Sequence, residues 1–197
     1  VFIISGPSGS GKDTVMTELF KKMPELLFSI SSITRAMRAG EREGEKYNFI
    51  TREKFEDMLK NDRLLEHNEF VGNYYGTPRE PVERAVANGQ DMVIEVDVNG
   101  AAQIREKMPE AVSIFIMPPS FAELKRRLSG RGTESEELIQ KRLTSALGEI
   151  KRAVEYDYIV VNKDIAAAAD NIMSVILSGR LKTDRQTKII DEVLSEC

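Results

Sequence analysis

An uninterrupted apolar run, Val1, Phe2, Ile3 and Ile4, enters a loop containing Gly6, Gly9 and Gly11, which passes directly into a helix-forming stretch. That order leaves few architectures open. Consecutive apolar residues without alternation predict a strand buried on both faces, the condition of a parallel sheet covered by helices. The glycines let the backbone turn tightly with its N–H groups pointing inward. A helix beginning near Gly11 adds the positive end of its dipole, so the loop is a site for phosphate. Lys12 brings a mobile positive charge to the same volume.

The spacing Gly6, four residues, Gly11, Lys12 satisfies the P-loop pattern up to its last position. Ser or Thr is expected there, and Asp13 stands instead, with Thr14 the nearest hydroxyl. A glycine-rich turn with an incidental lysine explains the loop less well, because a buried strand precedes it and a helix follows. The loop implies a nucleotide and leaves the reaction open.

At 197 residues and 41% hydrophobic, the chain can bury one sizeable core with small insertions. Its 28 basic and 32 acidic side chains give a net charge of −4, which lacks the overall field of a nucleic-acid or anionic-membrane binder. Clusters of arginine therefore need a local reason. No apolar run approaches a membrane span, and no signal peptide is visible. The single cysteine, Cys197, excludes an intrachain disulfide and suits a reducing cytoplasm. Val1 opens directly in a strand, so a few upstream residues are expected.

Further along, the apolar residues Val15, Met16, Leu19 and Phe20 predict one helical face closed by Pro24. Residues 26–32 read as a second strand. Residues 34–46 form a polar loop in which Arg35, Arg38 and Arg42 stand among acids, followed by Tyr47 and Phe49. A charged run of this kind is often only a solvated face. Here it follows a hydroxyl-rich strand (Ser29, Ser31, Ser32, Thr34), so guanidinium forks and a phenol can converge on a phosphate. Residues 51–61 predict a short amphipathic helix, 64–71 a strand and 72–76 a turn, making 32–80 a small insertion. A helix over 79–88 leads to a strand at 92–96 that ends in Glu95 and Asp97. Carboxylates at that end of a strand lie on the side where open α/β sheets bind ligands, although Asp97 also suits a helix N-cap before residues 99–107.

Residues 111–117 predict another buried strand and 120–128 a helix. The stretch 129–135, with two glycines around Arg131 and with Arg126, Arg127 and Arg142 nearby, suits a lid closing over phosphates. Arg126 also suits plain solvent exposure. A last strand over 156–162 and outer helices over 164–178 and 182–196 complete the chain. His67, the only histidine, is expected to be half-buried and structural.

Six segments in this order resemble the guanylate kinases over essentially the whole chain: GPSGSGK at 6–12, SSITRAMRAGEREGEKYNF at 31–49, EFVGNYYGTP at 69–78, IEVDVNG at 94–100, RLSGRGTES at 127–135 and YDYIVVN at 156–162. The resemblance implies the α/β P-loop nucleoside-monophosphate-kinase fold, a parallel sheet core flanked by helices (1–31 and 81–197). It also implies a small α+β GMP-binding insertion at 32–80 and a helical lid at about 126–142. The implied reaction moves the γ-phosphoryl group of ATP to GMP or dGMP with Mg²⁺, in purine nucleotide metabolism.

What the resemblance implies for single residues is specific. Gly6, Pro7, Ser8, Gly9, Ser10, Gly11, Lys12, Asp13, Thr14, Arg127, Arg131 and Asn162 would bind ATP, Asn162 near the adenine, and Lys12, Arg131 and Arg142 would act on the moving group. Arg35, Arg38, Tyr47 and Tyr75 would hold the GMP phosphate, while Ser31, Glu66 and Thr77, beside Gly76, would read the guanine. Glu41, Glu95 and Asp97 would surround the acceptor and the metal. Asp13 would hold Mg²⁺ through a water, or else cap its helix. Ile33, Glu95, Asn99 and Asp13 depart from the family's usual residues, and none removes a phosphate-binding cation. A kinase of another phosphorylated acceptor, a guanylate-kinase-like binding module and a regulatory nucleotide switch are the alternatives.

Overall fold

The computed structural model describes residues 1–130 and 136–195. Strand β1 (Phe2–Ser5) is the centre of a five-stranded parallel sheet, in the order β2 (Leu27–Phe28), β7 (Met92–Glu95), β1, β8 (Val112–Met117), β9 (Tyr158–Val161). Helices cover both faces, which is why β1 carries apolar residues without alternation. Phe2 and Ile4 pack with Val15 and Leu19 of α1 (Lys12–Lys22) and Ile172 and Ile176 of α7 (Ile165–Arg180). Ile3 turns the other way, into a cluster with Val82 of α3 (Arg79–Ala87) and Ala101 and Ile104 of α4 (Val98–Lys107).

A second, four-stranded sheet runs β4 (Tyr47–Phe49), β3 (Ser31–Ile33), β6 (Asn73–Pro78), β5 (Leu64–Phe70), with α2 (Arg52–Lys60) placing the buried Phe55. It is fastened to the main body where the Gln103 side chain of α4 accepts from the His67 N–H at 3.1 Å and donates to the His67 carbonyl at 3.0 Å. Beyond β8 lie α5 (Phe121–Ser129) and α6 (Glu136–Lys151), joined by Leu124, Leu128, Leu143 and Ala146.

Four expectations need correction. The strand read over 26–32 is two strands in two sheets: Leu27 and Phe28 pair with Met92 and Val93, and the chain then crosses over so that Ser32 and Ile33 pair with Gly76 and Tyr75. The turn read at 72–76 is mostly β6, and the reversal is confined to Val71 and Gly72, with φ of 50° and 71°. Positive φ at both positions is what a two-residue hairpin needs to match strand twist, and it is a strained setting for a β-branched valine. His67 is exposed rather than half-buried, because strand alternation sends its neighbour Glu66 inward. The helix read over 182–196 is a 3₁₀ turn (Thr183–Arg185) and α8 (Thr187–Ser195), which buries no residue against the rest.

Candidate active site

The loop after β1 lines a cavity of about 630 Å³ with residues 6–14, Arg127 and Arg142. Lys12 Nζ lies 3.5 Å from the Gly6 carbonyl and 3.7 Å from Glu95 Oε1 at the end of β7. Arg142 Nη2 donates to Ser8 Oγ at 2.8 Å. Arg127 lies deeper: it donates to the Ser10 carbonyl at 2.9 Å and to the Asn162 carbonyl at 3.1 Å, and Glu123 accepts from its Nε at 2.8 Å. Arg126 is exposed and paired with Glu123. Arg131 lies outside the described residues.

Asn162, expected near the adenine, is held against the phosphate loop. It is buried, and its amide donates to the Ser10 carbonyl at 2.7 Å, beneath the loop. The same contact explains Gly11, which has φ 85° and where a Cβ would stand 2.4 Å from Asn162 Nδ2.

A second cavity, of about 340 Å³, adjoins the first and shares Ser31, Tyr47, Glu95, Val96 and Asp97 with it. Arg35, Arg38, Glu66 and Tyr75 complete its wall. The Arg35 guanidinium is 5.4 Å from the Tyr47 ring centroid, and Tyr75 also hydrogen-bonds it. Glu41 is bound to the arginines of its own loop. Its carboxylate takes both arms of Arg35, at 2.7 and 2.6 Å, and the Arg38 N–H at 2.7 Å. Those bonds hold its carboxyl down to about 2, Arg35 contributing most.

Glu66 is buried, and Thr77 Oγ1 donates to its Oε1 at 2.7 Å. Burial raises its carboxyl to about 7, with a further push from Asp97. Gly100 packs against it, and a Cβ there would lie 2.9 Å from Glu66 Oε2, so a larger residue would displace the carboxylate. Gly76 is buried within β6, where a Cβ would meet the Glu66 carbonyl. Asp97 is the N-cap of α4, as its place before a helix suggested: Oδ1 accepts from the Asn99 and Gly100 N–H groups, and Oδ2 accepts from Asn68 at 2.9 Å.

Asp13 does not cap α1, whose N-cap is Gly11 without a side-chain bond. Its carboxylate meets Lys46, a residue to which sequence reading gave no role. Burial pulls the Lys46 ammonium down, but Glu95 and then Asp13 outweigh it and push it up. The only sequence signal for Lys46 was its place in a charged run next to Tyr47.

The chain's full length has known counterparts. A protein-family model described as Guanylate kinase matches residues 1–178. This chain belongs to the guanylate kinase family. It is a nucleoside monophosphate kinase, an ATP:GMP phosphotransferase, and the alternative readings are not favoured. A curated guanylate kinase of Desulfitobacterium hafniense is 44% identical over 98% of this chain and 96% of that protein. One from Oceanobacillus iheyensis is 46% identical over 100% of this chain and 95% of its counterpart. Among solved structures, a guanylate kinase from Anaplasma phagocytophilum shares 38% identity with a TM-score of 0.76, covering 94% of this chain and 88% of its own. No helix among the described residues is long and apolar enough to cross a membrane.

Proposed function

We propose that the loop cavity takes the ATP triphosphate, that the smaller cavity takes GMP or dGMP, and that transfer occurs at their junction. The observation that carries this reading is the shared wall: Tyr47, Glu95 and Asp97 line both cavities, so two anions bound there stand side by side. Phosphoryl transfer needs positioning and charge neutralisation more than covalent help from the protein. Lys12, Arg142 and the loop N–H groups neutralise the donor, with Arg131 added on sequence grounds. Arg35, held rigid by Glu41, grips the acceptor phosphate together with Arg38, Tyr47 and Tyr75.

Glu66 and Thr77, with Ser31, read the base. An ionised Glu66 accepts from guanine N1–H and the 2-amino group, whereas adenine offers a lone pair at N1 and would leave the buried carboxylate unpaired. A site of this kind rejects the wrong base by about 10⁴-fold or more.

Mg²⁺ fits the donor set. Among the described residues no three carboxylate, histidine or cysteine groups form a cage. Mg²⁺ in kinases is held by one or two carboxylates together with the substrate's phosphates, and Asp13 and Glu95 already converge on one cation, the Lys46 ammonium. Bound there, the metal would supply positive charge to the transferring phosphates. A cytoplasmic setting, without nucleic-acid partners, belongs to the same reading.

A coupled ADP-release assay with ATP and GMP, dGMP, AMP, UMP and dTMP tests the proposal. Turnover is expected with GMP and dGMP. Comparable turnover with AMP would sink the base assignment.

A further inference from the structure

Lys46 joins parts of the site that are far apart in the chain. Its ammonium lies 2.5 Å from Asp13 Oδ1, in the first turn of α1, and 3.4 Å from Glu95 Oε2. Glu95 is in turn 3.7 Å from Lys12. Charges therefore alternate Asp13, Lys46, Glu95, Lys12 across the boundary between the acceptor loop and the phosphate loop. Lys46 is also joined by one peptide bond to Tyr47, whose ring lines both cavities.

We propose that Lys46 is a positioning residue: bound to Asp13 and Glu95, it holds the loop 34–46 against the phosphate loop before substrates arrive and so presets Tyr47 for the acceptor phosphate. The idea rests on the GMP-kinase reading above. It accounts for Asp13, which stands where P-loops carry a hydroxyl and does not cap its helix. The side chains of Lys46 and Asp13 are 46% and 73% exposed, so the bridge contributes little to global stability. A contact of that strength shifts a local equilibrium a few-fold, which suffices to bias where a loop rests. Incoming phosphates compete for the same ammonium, so the tether loosens as the site fills.

The test uses the full chain without nucleotide. Hydrogen–deuterium exchange is followed over residues 41–47, where the Gly44 N–H bonds to the Tyr47 carbonyl. Lys46→Met and Asp13→Asn are each expected to speed that exchange about threefold to fivefold. The double variant should go no faster than the quicker single, because both changes break one bridge. Lys46→Arg should keep the wild-type rate. In steady-state kinetics, Lys46→Met should raise the GMP KM by a similar factor while kcat moves less than about twofold.

Unchanged exchange in both single variants, or a double variant that sums them, overturns the tether. So does exchange that rises equally across the whole chain, the mark of a merely structural role. A raised Mg²⁺ requirement in Asp13→Asn without any change in loop exchange returns Asp13 to the metal and overturns it as well. Exchange is read without substrate, so its failure leaves the GMP reading standing. A wild-type chain that turns over no GMP would instead fail that reading alone.

Discussion

The Asn162 amide donates a 2.7 Å hydrogen bond to the carbonyl of Ser10, a residue 152 positions away in the chain. Arg127 donates to the same oxygen at 2.9 Å. A carbonyl occupied by two donors cannot turn toward a bound phosphate, which it would repel. Asn162, at the end of the last strand of the main sheet, thus braces the loop that begins after the first residues of the chain.

Asn162→Ala should therefore do two things. Loss of a buried hydrogen bond is expected to cost about 1–3 kcal/mol, seen as a lower melting temperature. The ATP KM should rise several-fold while the GMP KM stays put. A variant with a lower melting temperature and an unaltered ATP KM would mark Asn162 as structural only.

Glu66→Gln should trade specificity for stability. The Glu66 carboxyl sits at about 7 in the folded chain against 4.5 for a free glutamate. Between those values the folded protein holds a proton that the unfolded chain has released, so Glu66's contribution to stability is full below the lower value and is lost as pH rises through the upper one. The loss is on the order of 3 kcal/mol, which Gln avoids. Melting curves at pH 5 and pH 8 should show Glu66→Gln gaining on the wild type at the higher pH. Its efficiency with GMP should fall at least about tenfold, or about 1.4 kcal/mol. An unchanged efficiency would move the base reader elsewhere.

GMP affinity of the wild type should itself climb as pH rises toward 7, because the ionised carboxylate is the form that accepts both guanine donors. The phosphate of GMP also titrates, near pH 6, so the comparison needs the variant. Calorimetric titrations should show the upper part of that rise in the wild type and not in Glu66→Gln. The same profile in both proteins would assign it to the phosphate.

The Arg35–Glu41 fork gives a further expectation. Glu41→Gln removes the charge that aligns both arms of Arg35, and Arg35→Lys removes the fork itself. Each should raise the GMP KM by about tenfold with a smaller change in kcat. A GMP KM unchanged in both would take Arg35 out of the acceptor site.

Arg142→Ala should behave in the opposite sense. Its guanidinium meets Ser8 of the phosphate loop, where the proposed function puts the donor phosphates. Removing such a group is expected to lower kcat by about 10²-fold or more and to leave the GMP KM nearly alone. Arg131→Ala is expected to do the same on sequence grounds. A raised KM with intact kcat would place either arginine outside the transition state.

The local features were readable from composition and spacing because they depend on neighbours in the chain. Apolar runs marked most strands of the main sheet, Pro24 marked a helix end, and Asp97 capped α4 as its position before a helix suggested. The P-loop is likewise a short-range pattern, and the arginines and the Tyr47 phenol of 31–49 were visible as a cluster before any cavity was seen.

Pairing across long stretches was not visible in that way. Whether residues 26–32 stay in one sheet depends on Met92, Val93 and Gly76, and whether 72–76 is a turn or a strand depends on where β5 lies. The same holds for roles within the site. Asn162 braces a loop and Asp13 faces Lys46, each because a partner from elsewhere in the chain arrives within hydrogen-bond range, and Glu41 aligns Arg35 because the loop between them folds back on itself. A residue's type limits the bonds it can make, but folding selects among them, because a buried or charged group takes whichever partner the packing brings close enough to repay its lost water.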